Sequence, residues 1–412
     1  MPRKSTRNAQ GGGTIRQRSD GRWEAHVTLG RDPGTGKQVQ KSIYGATQKE
    51  VRQKMQRMLV EVDEGVYTAP SKLTVKAWLE IWLREYKGDA KASTLIKYEG
   101  DINRHIIPNL GAVKLASLTP AAVQKFYNEL QRSGSTVPKR DENGKIIKVD
   151  GKPVLVKAPL SPKSVKNIHG ILHQALKQAL RLGYIRTNPT EACALPRIEK
   201  KEMRPLDAAE IKQLLNVLGD DTYSTLMKVD LFTGMRQGEI IGLQWSCVDF
   251  ERGTITVNKQ LSHNRKKGDT PQFTSLKNDK PRTIKPAPYV MELLRDHRKR
   301  QLANRLLAGS LWNDGGFPDL VFTNEFGRYL TYTAVWRHYK QALEAAGLPP
   351  IRFHDLRHTF AVTSLCAGDD IKTLQENLGH HTAAFTLDQY GHVTDSMRDA
   401  SSQRMQAFIN TL

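Results

Sequence analysis

Apolar residues recur at two different periods along this chain, and the change between them divides it. Over residues 14–44 they alternate in the manner of short strands. Thr14-Ile15-Arg16-Gln17-Arg18 leads to a turn at Asp20-Gly21, and Trp23–Leu29 leads to a second turn at Asp32-Pro33-Gly34-Thr35-Gly36 before Val39–Tyr44. Over 47–64 the spacing becomes helical, with Val51, Met55, Met58, Leu59 and Val62 on one face. Three strands and a helix make a small module spanning 14–66, behind a basic, flexible tail at 1–13.

After a linker at 67–72 the helical period continues. Val75, Trp78, Leu79, Trp82 and Leu83 form one stripe, and Leu95, Tyr98 and Ile102 another. Thr119-Pro120 places an N-cap ahead of a proline at the first helical position, opening a helix to about Arg132. Ser161-Pro162 repeats the device for a long helix through Ile168, Leu172 and Leu176 to Leu182, with Gly183 as its C-cap. Between these helices, 134–158 is rich in Gly, Lys and Asp, with a hairpin-like Asp150-Gly151, and reads as a surface insertion. A second, charged linker follows over 196–205. Asp207-Ala208-Ala209-Glu210 is then a capping-box start, and Thr254–Val257 and Arg282–Ile284 read as strands among further helices. The expected fold is multidomain α+β. It comprises a small three-stranded sheet plus helix, an all-α domain over 73–195 with the insertion, and a mainly α domain over 205–412 with a small antiparallel sheet.

Charge indicates the partner. The chain of 412 residues carries a net +21, unevenly placed: 36 Lys and Arg against 18 Asp and Glu in 1–200, but 27 against 24 in 201–412. A basic front suits a polyanion, and the strands of the first module carry Arg16, Arg18, Arg22, Lys37 and Lys41 toward one. No apolar run reaches the roughly 18–20 residues of a membrane span, and Met1–Gly13 has no apolar stretch of a secretory signal. Cys193, Cys247 and Cys366 are scattered without metal-ligand spacing. They are expected as buried small hydrophobes in a reducing compartment, which makes the chain cytoplasmic.

Five patterns in the last domain carry chemistry. In Thr233-Gly234-Met235-Arg236-Gln237-Gly238-Glu239-Ile240, an arginine sits at a Gly-flanked turn opening a helix, and Glu239 is spaced to orient it. In Leu276–Ile284, Lys277 stands on a turn between strands, with Lys280 as its rival. In Phe353-His354-Asp355-Leu356-Arg357-His358-Thr359-Phe360-Ala361, His354 and Arg357 at i and i+3 share a helix face while Leu356 and Phe360 turn inward. Leu378-Gly379-His380-His381 ends a helix and releases His380, with His381 a weaker stand-in. Thr386–His392 presents Tyr390 ahead of Gly391. Taken singly, each has a bland reading: a solvated ion pair, an exposed hairpin lysine, a surface His/Arg helix, a surface histidine, a packing tyrosine.

Together, the order Arg, Lys, His-x-x-Arg, His, Tyr resembles the tyrosine recombinase, or phage integrase, family. Thr233–Glu239, His354–Ala361, Leu378–His381 and Thr386–His392 carry the resemblance. It covers most of the chain. Residues 14–66 are similar to the arm-type DNA-binding module of integrases from temperate phages and integrative elements, 73–195 to the core-binding domain, and 205–412 to the catalytic domain. Position by position, it implies Arg236 and Arg357 as a phosphate clamp, Lys277 as general acid, His354 and His380 as proton and hydrogen-bond partners, and Tyr390 as nucleophile. Residues 262–273 lengthen the hairpin ahead of Lys277, and the insertion at 134–158 has no counterpart in the family pattern. The resemblance further implies double-stranded DNA at core and arm sites, a homo-tetramer with a Holliday-junction intermediate, and no membrane. An excisionase and a host DNA-bending protein are the candidate accessory partners.

The residue types suit that chemistry. In-line attack on a phosphodiester loads charge onto its non-bridging oxygens, which two bidentate guanidiniums can stabilise without a metal. A phenol with pKa near 10 needs nearby cations or a base, and the departing 5′-oxygen needs an acid. A phosphotyrosine ester conserves the bond energy, so no nucleotide cofactor is expected, in keeping with the lack of a P-loop pattern or an acidic metal cluster. The expected activity is that of a mobile-element integrase working through a 3′-phosphotyrosine for integration and excision. A chromosomal resolvase or invertase usually lacks a module like 14–64, and a type IB topoisomerase relaxes supercoils without pairing sites. A non-catalytic DNA-binding protein would have no need of all six residues.

Overall fold

The structure, a computed structural model, describes residues 14–31, 38–63, 73–142, 144–199, 204–262, 270–276, 280–380, 382, 384 and 394–412. The expected tail at 1–13, the turn at 32–36, the linker at 67–72 and the residues Lys277, His381 and Tyr390 lie outside the described residues, as does the side chain of Val62. The chain forms two compact units, 1–200 and 201–412.

In the first unit, strands β1 (Thr14–Gln17), β2 (Trp23–Arg31) and β3 (Gln38–Gly45) form an antiparallel sheet in that order. The sheet packs on helix α1 (Gln48–Asp63). Strand alternation sends Ala25, Val27 and Ile43 to the helix, where they are buried with Val51 and Met55. The open face differs from the basic one expected. Arg16 lies opposite Glu24, which is buried and accepts from its Nε at 2.9 Å, so that cation is neutralised where it stands. Arg18 follows β1 beside Asp20, Arg22 precedes β2, and Lys41 pairs across from Val27 on the helix side. Lys37 lies outside the described residues.

A second core in this unit belongs to helices α2 (Val75–Tyr86), α3 (Ala92–Asp101), α4 (Ile107–Leu110), α5 (Pro120–Ser133) and α6 (Pro162–Arg181). Both proline-led starts are capped: Thr119 Oγ1 accepts from Ala122 N at 3.3 Å and Ser161 Oγ from Ser164 N at 3.2 Å. Gly183 follows α6 with φ +72°. Trp78, Trp82, Phe126, Leu172 and Leu176 fill the centre, and Trp78 donates its indole N–H to Ala175 O at 2.9 Å. Between α5 and α6 the insertion forms four short strands, β4 (Ser135–Pro138), β5 (Lys148–Val149), β6 (Lys152–Pro153) and β7 (Leu155–Ala158).

The second unit opens with α7 (Ala208–Val217), whose capping box joins Asp207 and Glu210 reciprocally. Helix α8 (Thr222–Thr233) is buried on nearly every side, and α9 (Gln237–Ile241) follows a sharp turn. A three-stranded antiparallel sheet has the order β12 (Arg282–Ile284), β9 (Thr254–Val257), β8 (Val248–Asp249). A separate pair, β10 (Gln260–Leu261) and β11 (Phe273–Thr274), lengthens the hairpin. Helices α10 (Pro288–Ala308), α11 (Tyr332–Ala345), α12 (Asp355–Cys366), α13 (Ile371–Leu378) and α14 (Thr394–Ile409) complete the unit. Its core includes Leu226, Val229, Ile240, Ile255, Val290, Val321, Phe322 and Leu356. The cysteines correct an expectation: none is buried. Cys193 and Cys247 are half-buried at the rims of the two larger cores, and Cys366 is exposed because it ends α12 at the surface. No described helix is long and apolar enough to cross a membrane.

Candidate active site

The site begins where α8 stops. Gly234 takes a left-handed φ of +59° and closes α8 by donating its N–H to Asp230 O. A Cβ there would stand 2.4 Å from the Phe360 ring, so both backbone and packing require glycine. The turn delivers Arg236 to the start of α9. Glu239, one turn on and buried, accepts from Arg236 N at 2.9 Å and from its Nη1 at 2.7 Å.

The end of α13 gathers the guanidiniums. Arg282 Nε donates to Asn377 O at 2.7 Å, Arg357 Nη2 to Leu378 O at 2.5 Å, and Arg236 Nη2 to Gly379 O at 3.1 Å. Three arginines from three separate elements thus bond three successive carbonyls, where a helix ends with free acceptors and partial negative charge. Arg357 Nη1 also reaches Gly234 O at 2.6 Å, tying α12 to the Arg236 turn. Arg236 and Arg357 therefore converge, and His380 follows directly on the carbonyls they hold.

The bland reading of a surface His/Arg helix does not hold for the arginine: His354 stands at the start of α12 and is exposed, whereas Arg357 is only 2% exposed. A guanidinium can be buried there because backbone carbonyls and the helix end satisfy it. Sequence reasoning missed two members of the site. Arg282 bonds Glu239 through Nη1 at 3.2 Å and Nη2 at 2.6 Å. It lies two residues from buried Ile284 on β12, and an arginine at an inward strand position was the available signal. Asp230 is 1% exposed beneath Arg357, and nothing in the pattern of α8 distinguished it.

Charge follows from these contacts. Burial alone would raise the Glu239 carboxyl, but hydrogen bonds and charge from Arg282, then Arg236, lower it to about 2. Glu239 is therefore an anion that bridges two cations. Burial raises Asp230 well above the ordinary carboxylate range despite the opposing charge of Arg357. Desolvation, then the charges of Arg357 and Arg236, push His380 down to about 3. His354, though exposed to solvent, is lowered in the same direction by its neighbours, desolvation first and then the charges of His358 and Arg357. Both imidazoles are neutral at pH 7, and each keeps one nitrogen to donate and one to accept. Lys280 is described and exposed.

Comparison with known proteins agrees with this architecture. The phage integrase family matches residues 204–397, and the N-terminal SAM-like domain of phage integrases matches 74–131. A tyrosine recombinase XerC-like protein of Caldanaerobacter subterraneus is 28% identical, covering 89% of this chain and 91% of its own. The ICEBs1 integrase of Bacillus subtilis is 23% identical over 96% of this chain and 100% of its own. Among solved structures, the Tn1549 transposon integrase bound to a circular intermediate DNA covers 81% of this chain and 100% of its own, with TM-score 0.63 and 21% identity. A lambda integrase dimer on a COC′ core site covers 95% of this chain and 97% of its own, with TM-score 0.52 and 19% identity; both share the fold. From the two family matches and the full-length likeness to integrases of mobile elements, the chain belongs to the phage integrase family of tyrosine recombinases and is a site-specific recombinase of a mobile element.

Proposed function

We propose that this recombinase cuts and rejoins double-stranded DNA with Tyr390 as nucleophile and Arg236 and Arg357 as the phosphate clamp, for integration and excision of its element. The convergence of Arg236 and Arg357 on the Leu378 and Gly379 carbonyls, beside His380, carries this reading. Tyr390 Oη attacks phosphorus as its phenolic proton passes to the neutral imidazole of His354 or His380, the P–O5′ bond breaks, and the 5′-oxygen takes a proton from Lys277, leaving a 3′-phosphotyrosine. A 5′-hydroxyl from the partner strand reverses the step, so no external energy source is required. His354 and His380, neutral at pH 7, exchange protons and hydrogen bonds with the reacting oxygens.

In this reading the helical domain and the second unit hold the core site, and the sheet module over 14–66 holds arm sites. The working form is a cytoplasmic homo-tetramer, served by an excisionase and a host DNA-bending protein. Met405, Phe408 and Ile409 are each more than half exposed on α14 and supply an apolar face for a neighbouring protomer. Truncation after Asp395 should then leave single-site cleavage intact and abolish synapsis. The central test is a nicked suicide duplex spanning the element's boundary. The natural protein should form a covalent adduct and Tyr390→Phe none; an adduct with Tyr390→Phe would remove that tyrosine from the mechanism.

A further inference from the structure

The insertion between α5 and α6 is built in a way that its own domain does not need. Its stem pairs β4 with β7, from Ser135 opposite Ala158 to Pro138 opposite Leu155. Beyond the stem, three backbone bonds close a ring: Lys139 N to Val154 O, Val154 N to Ile147 O, and Ile147 N to Lys139 O. Two short hairpins fork from that ring. One is closed by Asp141 N donating to Lys145 O, with Arg140 paired to Ile146. The other turns at Asp150 and Gly151, both at positive φ, with Lys148 paired to Pro153 and Val149 to Lys152. No described residue of 135–158 is buried. A sheet solvated on both sides gains little from its apolar side chains, yet Val149 and Leu155 stand 60% and 58% exposed.

We propose that this forked ribbon is a DNA-contacting arm of the core-binding domain, entering a groove or gripping phosphates beside the site held by the helices. The proposal rests on the DNA-recombining function inferred above and adds a contact outside the helices. Charge complementarity selects the partner. The insertion carries Lys139, Arg140, Lys145, Lys148, Lys152 and Lys157 against Asp141, Glu142 and Asp150. Lys145, Lys148 and Lys152 project from the two tines, are exposed, and form no ion pair among the described residues. A short β-ribbon fits the width of the major groove, and its apolar residues suit thymine methyls there.

The test measures the salt dependence of affinity for a labelled duplex of random sequence, comparing the full-length chain with K145A/K148A/K152A. None of the three side chains is buried, so the thermal midpoint should not move. Each phosphate contact contributes about 0.9 to the slope of log affinity against log salt. If the fork touches DNA, the slope should fall by about 2 to 3 and affinity at physiological salt by at least tenfold. An unchanged slope with the natural protein still binding overturns the arm and leaves the recombinase reading intact. Failure of the natural protein to bind any duplex would instead strike that reading. Loss of assembly with unchanged DNA affinity would make the fork a protein-docking element and would also overturn the proposal.

Discussion

Arg282 and Glu239 meet in a buried, two-pronged ion pair, with Nη2 2.6 Å and Nη1 3.2 Å from the two carboxylate oxygens. The same carboxylate holds Arg236, and Arg282 Nε holds Asn377 O. One residue therefore links Arg236 to the helix end that precedes His380. Removing one partner of a buried pair leaves a stranded charge, at a cost of about 3–5 kcal/mol. Arg282→Ala should fall near the lower end, since Arg236 still faces Glu239. Urea unfolding should show a lower midpoint, and adduct formation should slow even where the protein remains folded. An unaltered midpoint would mean that water replaces the guanidinium at no cost.

Acid should weaken this unit from below neutrality. Glu239 titrates near 2 in the folded chain against an ordinary 4.5, so the unfolded chain takes the proton first as pH falls. Its contribution, about 3 kcal/mol, is complete above pH 4.5 and gone below about 2. His380, lowered from 6.5 to about 3, acts in the same direction. The unfolded imidazole protonates first, so stability drains as pH falls from 6.5 toward 3. Asp230, raised well above its ordinary range, works in the opposite direction, so the test is comparative. Below pH 4.5 the thermal midpoint of the natural protein should fall more steeply than that of Glu239→Gln. Equal slopes for the two proteins there would contradict the Glu239 assignment.

Gly379 sets the position of His380. Its φ is +62°, and a Cβ would lie 3.0 Å from Arg282 Cδ. Gly379→Ala therefore combines left-handed strain of about 1–2 kcal/mol with displacement of Arg282. The expected signature is a modest loss of stability and a larger loss of cleavage, because the carbonyls that hold three guanidiniums shift together. Single-turnover cleavage measured beside thermal unfolding separates the two effects; equal losses in both would reduce Gly379 to a helix stop.

Local patterns were legible where short-range physics decides them. The caps at Thr119, Ser161 and Asp207 and the strands around Ile255 and Ile284 could be read directly, since each depends on residues within a few positions. Less legible was whatever depends on distant packing. The i+3 spacing from His354 did not decide between a working face and a solvated one for Arg357; it is buried because Gly234 and Leu378, remote in sequence, supply its acceptors. Arg282 hid beside more conspicuous lysines. The basic strand face of the first module was misjudged because Glu24 lies directly across from Arg16, a pairing that only the register reveals.

Arg357 separates charge from geometry most cleanly. Its guanidinium spans Gly234 O and Leu378 O through two different nitrogens, at 2.6 and 2.5 Å. A lysine carries the same charge as a single point and cannot reproduce the planar fork. Arg357→Lys should therefore keep the salt dependence of DNA binding close to that of the natural protein. Chemistry should suffer. Loss of an oriented donor to a developing oxyanion costs about 3–4 kcal/mol, or roughly 10²–10³ in rate. Single-turnover adduct formation on a saturated suicide duplex measures the step directly. If Arg357→Lys cleaves at the natural rate, positive charge alone suffices at this position and the fixed fork has no catalytic role.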